Sequence, residues 1–141
     1  MRIRISIFAA VLSSWLLSNI AISAAPRNAA EDPRTIVDRV YSVAQAERGE
    51  QRFKISCSSC HTPSSFGDGM FADRWDGQTM ADVFEYVSSA MPENDPGGLK
   101  KEDYADVLAY MLRINAYPAG YDELPTDPDA LKKLAIAPNG K

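Results

Sequence analysis

Apolar residues recur at helical spacing in three parts of the chain, and this pattern predicts an all-α fold. The clearest stripe has positions i, i+3, i+4, i+7 and i+11, as on one face of a helix. It consists of Met80, Val83, Phe84, Val87 and Met91. Two further helices are predicted from about residue 43 to 55 and from about residue 102 to 114. The sequence shows no strand pattern and no internal repeat.

Polar residues at the ends of these segments predict where the helices begin and end. Ser42 with Gln45, and Thr79 with Asp82, have the spacing of a capping box, in which the two side chains satisfy first-turn amides reciprocally. Asn115 is expected to cap the third helix at its C-terminus.

Glycines give two further expectations. Gly49 lies inside the first predicted helix, where glycine costs about 1 kcal/mol relative to alanine, and close approach of another helix would explain it. The segment between His61 and Gln78 contains three glycines and one proline and is predicted to be a loop.

The N-terminal residues 1–24 have the charged, apolar and small-residue order of a secretory signal peptide. We expect it to be cleaved; the alternative is a membrane anchor that stays attached. The rest is one small domain with an extended lead-in at 25–41, a core at 42–121 and an irregular tail at 122–141. No later segment is long and apolar enough to cross a bilayer, so we expect a periplasmic protein without a stable membrane anchor.

The chain is acidic, with 15 Lys and Arg against 19 Asp and Glu. Without Arg2 and Arg4 of the signal segment, 13 basic residues remain and the formal charge is −6. This charge argues against a nucleic acid partner and is suited to a basic patch on a protein.

Both cysteines and the only histidine lie in the pentapeptide CSSCH, which occupies residues 57–61. This pattern is typical of covalent haem attachment, in which the two thiols add to the porphyrin vinyl groups and the histidine coordinates the iron. An export signal precedes it, and haem attachment of this kind takes place in exported compartments of bacteria.

Two other chemistries of CSSCH fit the chain less well. A dithiol oxidoreductase would place Cys57 and Cys60 at a helix N-terminus after a buried strand, whereas here they follow a helix and precede a glycine-rich segment. A zinc site would need a second ligand pair, and His61 directly follows Cys60, which strains a shared tetrahedral site.

A single histidine excludes bis-histidine ligation within one chain, so the sixth position of the iron falls to methionine, lysine, water or nothing. Met80 and Met111 lie on apolar stripes and are expected to pack in the core. Met91 ends its helix stripe directly before Pro92 and is the better placed ligand, while Met70 remains an open alternative.

Residues 42–136 resemble a class I c-type cytochrome, and in particular the cytochrome domain of quinoprotein alcohol dehydrogenases. The resemblance rests on segments that occur in the same order and cover nearly all of the mature chain. They are QAERGEQRF before CSSCH, FADRWDGQTMADVFEYVSSAMP, DPGGL, DYADVLAYML, YPAG and DELPTD.

The resemblance implies a small cytochrome c fold, with three main helices and loops around one covalently bound haem c. It implies thioether attachment at Cys57 and Cys60, with His61 as proximal and Met91 as distal iron ligand. Trp75 would donate its indole N–H to a haem propionate, with Arg74 as a second partner; the alternative for Trp75 is an ordinary core aromatic.

The resemblance also implies that the first and last helices cross, with Gly49 and Phe53 against Val107 and Tyr110. Two features depart from it. No carbonyl acceptor for the His61 ring N–H can be identified, and Lys100 and Lys101 stand where a capping serine is expected.

The expected function is that of a periplasmic one-electron carrier, not an enzyme. Its expected donor is a dehydrogenase, plausibly a quinoprotein, and its acceptor a terminal oxidase or another cytochrome. The alternatives are a cytochrome subunit bound permanently to a dehydrogenase, or a haem enzyme or gas-binding protein with an open sixth position.

Overall fold

The computed structural model describes residues 34–139, so the predicted signal peptide and residues 25–33 of the lead-in lie outside the described part. Five α-helices occur along this part of the chain, together with one 3₁₀ turn at Pro63–Ser65 and two short strands. The helices are α1 (Val43–Ser56), α2 (Met70–Trp75), α3 (Met80–Ala90), α4 (Lys101–Ile114) and α5 (Pro128–Lys132). The strands are β1 (Arg34–Thr35) and β2 (Leu134–Ala135). The predicted all-α fold is confirmed.

Helices α1 and α4 cross in close contact at Gly49. A Cβ atom at this position would lie 1.8 Å from the backbone oxygen of Asp106 and 3.0 Å from the Cβ atom of Tyr110. One turn further on, the Phe53 ring packs 5.4 Å from the Tyr110 ring. The mid-helix glycine therefore serves close helix approach, as predicted, because no larger residue leaves room for the α4 backbone.

Ion pairs flank this crossing and fix how the two helices face each other. Arg48 of α1 binds Asp106 of α4 through two hydrogen bonds of 2.9 and 2.8 Å, and it also pairs with Glu123 at 2.9 Å. Arg52 pairs with Asp103 at 2.9 Å. Because these side chains are partly exposed, each pair adds little stability, but the double contact of Arg48 with Asp106 has defined geometry.

The N-terminus of α1 departs from the predicted capping box in one respect. The Ser42 hydroxyl accepts the Gln45 N–H at 3.0 Å, as predicted. The Gln45 side chain, however, is buried and exchanges two hydrogen bonds with the backbone of Leu124, at 3.0 and 2.6 Å. It therefore ties the C-terminal segment to α1 instead of closing the cap.

The segment between His61 and Gln78 was predicted to be a loop, but it contains the 3₁₀ turn and α2. Phe71 and Ala72 of α2 are buried. Gly69, at φ 86°, turns the chain into this helix. Six residues are too few to give a helical period, which explains why the pattern did not reveal α2.

Helix α3 begins as predicted: the Asp82 carboxylate accepts hydrogen bonds from the backbone N–H and the hydroxyl of Thr79, both at 2.7 Å. These bonds lower the pKa of Asp82.

Helix α4 has Lys100 as its N-cap without a side-chain hydrogen bond. At its other end, the Asn115 amide donates to the carbonyl of Met111 at 2.8 Å, which confirms the expected cap.

The prediction of an irregular tail at 122–141 is wrong over residues 127–135. The Asp127 side chain accepts the Ala130 N–H at 2.8 Å and so caps α5, with Pro128 at the first helical position. β2 then pairs in parallel with β1, with Arg34 opposite Leu134. Neither α5 nor β2 is long enough to show a period, which explains why the pattern did not reveal them.

Both ends of the described chain belong to the hydrophobic core. From the predicted lead-in, Ile36, Val40 and Tyr41 are buried. From the tail, the buried apolar residues are Leu124, Leu131, Leu134 and Ile136. The core is therefore wider than the predicted range of 42–121. None of the helices in residues 34–139 combines the length and apolar character needed to span a membrane.

We predict that Gly49→Ala destabilises the protein. The added methyl group meets backbone at 1.8 Å, so α1 and α4 must separate, and overpacking of this kind costs about 1–3 kcal/mol. That cost outweighs the gain of about 1 kcal/mol in helix propensity. Denaturant unfolding would measure the loss, with Gln51→Ala on the exposed face of α1 as a control that changes stability by less than about 0.5 kcal/mol. Equal stability of Gly49→Ala and the wild type would contradict the close crossing.

Candidate functional site

A cavity of about 760 Å³ opens beside the CSSCH segment. Its volume falls within the range of about 300–1,000 Å³ that is usual for small-molecule and cofactor sites. All six residues predicted for the site line this cavity: Cys57, Cys60, His61, Arg74, Trp75 and Met91. Residues far apart in sequence are thus brought together around one space.

The CSSCH segment reaches the cavity because it forms a tight turn at the end of α1. The N–H groups of Cys57 and Ser58 both donate to the carbonyl of Phe53, at 2.9 and 3.0 Å. The N–H groups of Cys60 and His61 then donate to the carbonyl of Cys57, at 3.2 and 3.0 Å. As a result of this turn, Cys57, Cys60 and His61 all line the cavity. Cys57 is half-buried and Cys60 is exposed, and neither forms a disulfide.

The environment of the cysteines disfavours the two alternative chemistries. Burial raises the pKa of Cys57, whereas a redox-active dithiol has a cysteine whose pKa is lowered. Within residues 34–139, no three His, Cys, Asp or Glu side chains cluster so that they could hold a metal ion, which argues against zinc.

His61 packs against Phe66, with 5.2 Å between the ring centroids. In the described part of the chain its side chain makes no hydrogen bond, so the acceptor that orients the imidazole stays unidentified. Phe66 was not predicted as a site residue. Its carbonyl accepts a hydrogen bond from the Asn115 amide, which ties this side of the cavity to the end of α4.

Three of the candidate methionines line the cavity, namely Met70, Met91 and Met111. Met80 is fully buried and does not line it, as expected for a core residue. Met111 is both a core residue and part of the wall, whereas Met70 is exposed. Met91 is the C-cap of α3, in extended conformation with φ −128° and ψ 149°. Its N–H donates to the Val87 carbonyl at 3.0 Å, which anchors it to the helix.

Arg74, Trp75 and Tyr86 form a cation–π cluster on one wall of the cavity. The guanidinium carbon of Arg74 lies 5.5 Å from the Trp75 ring centroid and 5.7 Å from that of Tyr86, and the two rings are 5.5 Å apart. Trp75 is partly buried and packs against the core, and it also lines the cavity. Tyr86 was not predicted as a site residue, although its position three residues after Val83 lies at the edge of the apolar stripe.

The walls of the cavity fit a flat apolar macrocycle that carries carboxylates. Phe53, Phe71, Val83 and Val107 supply apolar surface, and Arg74 supplies a cation. Two thiols, an imidazole and three thioethers line the same space, and groups of these kinds attach a porphyrin and coordinate its iron. Fold and site are together consistent with a small cytochrome c fold.

The comparison with known families agrees with this class. A family model described as “Cytochrome C oxidase, cbb3-type, subunit III” matches residues 44–111, a range that runs from the start of α1 into α4 and includes CSSCH and Met91. The match supports a class I c-type cytochrome, and with it a covalently bound haem c and electron transfer to redox protein partners. Neither a curated protein nor a solved structure matches the chain significantly.

We predict that haem remains on the wild-type protein during extraction with acidified acetone and leaves the double variant Cys57→Ala/Cys60→Ala. Only the thioether bonds survive this solvent, since it breaks the bonds to iron. Each single variant should keep one thioether and give a pyridine haemochrome band between those of the wild type and of free haem. Ser59→Ala, between the two cysteines, is the control and should behave as wild type. Extraction of haem from the wild type would contradict covalent attachment.

Proposed function

We propose that this protein is a periplasmic one-electron carrier with a single haem c ligated by His61 and Met91. The observation that carries the proposal is that CSSCH and Met91, thirty residues apart, line one cavity of cofactor size. The predicted signal peptide and the expected chemistry of haem attachment support export, although residues 1–24 lie outside the described structure.

The six predicted site residues have distinct roles in this proposal. Cys57 and Cys60 hold the cofactor, His61 and Met91 coordinate it, and Trp75 and Arg74 bind its propionates. The bound haem supplies an iron that cycles between Fe(III) and Fe(II). Methionine is a soft, neutral ligand, so Met91 favours Fe(II) and raises the reduction potential above that of a bis-histidine site.

The exposed surface beside the cavity is where a partner would meet the cofactor. Cys60 is exposed, and Met70 and Tyr86 are large apolar residues that line the cavity while more than 40% of their surface remains accessible. A small contact of this kind suits a redox partner that must bind briefly and leave.

The net negative charge of the described residues comes from one segment of the chain. Residues 66–99 carry one arginine and seven carboxylates, a formal charge of −6, whereas the rest of residues 34–139 carries ten basic and ten acidic side chains. In the described part of the chain, six of these seven carboxylates make no ion pair or hydrogen bond: Asp68, Asp73, Asp76, Glu85, Glu93 and Asp95. Glu93 lines the cavity itself. We therefore propose that redox partners approach this segment with a basic surface.

The donor in this proposal is a dehydrogenase, plausibly a quinoprotein, and the acceptor is a terminal oxidase or another cytochrome. The resemblance to the cytochrome domain of quinoprotein alcohol dehydrogenases supports this donor. The described chain offers no second histidine as a distal acid or base, which favours a carrier over a haem enzyme.

We predict that the ferric protein shows the weak near-infrared charge-transfer band of methionine–iron coordination, and that Met91→Ala abolishes it. Met70→Ala and Met111→Ala, which alter the other two methionines of the cavity wall, are the controls and should keep the band. A wild type without the band, or a band lost in Met70→Ala instead, would show that Met91 is not the ligand.

We predict that oxidation of the ferrous protein by a cationic cobalt(III) complex slows as salt is added, whereas oxidation by anionic ferricyanide accelerates. The reason is the net negative charge around the cavity, which salt screens. Glu93→Gln should reduce the low-salt rate with the cationic oxidant by roughly twofold.

The matched control for the acidic segment is Glu47→Gln. Glu47 is exposed on α1 and does not line the cavity, so its neutralisation should leave both salt dependences unchanged. Equal effects of Glu93→Gln and Glu47→Gln would show that the rates depend on net charge alone and not on the charge beside the cavity.

A further inference from the structure

We propose that Tyr104 is a positioning residue that retains Met91 at the cavity through the Met91 main chain. The proposal rests on the proposed role of Met91 as iron ligand. The Tyr104 hydroxyl donates to the Met91 carbonyl at 2.7 Å, from the first turns of α4, and the tyrosine side chain is only 3% exposed. Tyr104 itself does not line the cavity, so it can act on the cofactor only through Met91.

The same hydroxyl also contacts the far end of the segment that begins at Met91. The Leu99 N–H donates to it at the longer distance of 3.4 Å. One phenol thus bridges the two ends of a nine-residue segment, residues 91–99, and fastens both to α4.

The segment between these ends is closed by its own hydrogen bonds. The Asp95 N–H donates to the Pro92 carbonyl at 2.8 Å, and the Gly98 N–H donates to the Asp95 carbonyl at 3.0 Å. We therefore expect residues 91–99 to move as a unit when the Tyr104 contacts break.

The Tyr104 side chain is itself held firmly. Its ring packs edge-on against Phe84 of α3, with 6.2 Å between the centroids. Helix α4 lacks a side-chain cap at Lys100, so the phenol is a direct polar link between its N-terminal turns and the preceding segment. Moving the Met91 backbone away from the cavity would leave a partly buried carbonyl and a buried hydroxyl without their bond, which is unfavourable.

The test is displacement of Met91 by imidazole in the ferric holoprotein, with Tyr104→Phe compared with Tyr110→Phe. Tyr104→Phe removes only the hydroxyl, so imidazole should bind about threefold to tenfold more tightly, the range expected for one lost hydrogen bond. The near-infrared methionine band should still be present before imidazole is added.

Tyr110→Phe is a matched control on the same helix. Tyr110 is also buried, and its hydroxyl makes no hydrogen bond in the described part of the chain. Its imidazole affinity should equal that of the wild type. An unchanged affinity in Tyr104→Phe, or an equal increase in both variants, would overturn the role of Tyr104. Absence of the methionine band from the wild type would instead refute the Met91 ligand itself.

Hydrogen exchange of the wild type tests the proposal without any substitution. If Tyr104 retains Met91 through the backbone, saturating imidazole should accelerate exchange of the Asp95, Gly98 and Leu99 amides together, while amides in the middle of α4 stay protected. Imidazole binding with no change at the Leu99 amide would mean that only the Met91 side chain swings away, and the proposal would be wrong.

Discussion

The close contact of α1 and α4 at Gly49 is the constraint on which the rest of the structure depends. Because Gly49 has no side chain, the Asp106 backbone lies in the space that a Cβ atom would fill. The packing of Phe53 on Tyr110 and the Arg48 ion pairs depend on this close approach. CSSCH directly follows α1, and α4 carries Val107 and Met111 on the opposite wall of the cavity. The crossing of the two helices therefore also sets the distance between the cysteines and that wall. A change in the core at one point would therefore alter the dimensions of the site.

The cavity has one wall that backbone hydrogen bonds alone hold and one wall that also depends on a side-chain hydroxyl. CSSCH continues directly from a long helix, to which two backbone hydrogen bonds fasten it, and two more close its own turn. Met91, in contrast, stands where a helix has ended, and one helical backbone bond and one phenol hydroxyl hold its main chain. In the proposed function, thioethers at Cys57 and Cys60 would keep the cofactor in place even if Met91 left the iron.

The strongest features of the fold could be predicted from sequence because they repeat or have a local signal. The stripe from Met80 to Met91 has a helical period, Gly49 interrupts good helix formers, and Thr79 with Asp82 has capping-box spacing. Helices α2 and α5 escaped prediction because five or six residues give no period. The true partner of Gln45 lies 79 residues away, and the bond from Tyr104 to Met91 joins a side chain to a carbonyl, so no local pattern could reveal either one.

The parallel pairing of β1 with β2 brings the N-terminal end of the described chain beside residues 134–135. Residues 34–41 and 120–139 contribute nothing to the cavity wall. Four residues after β2, the Asn139 side chain donates to the Asn115 carbonyl at the end of α4. A tether or a fused domain joined ahead of β1 would therefore start from residues that do not line the cavity, and it would leave the exposed residues beside the cavity accessible.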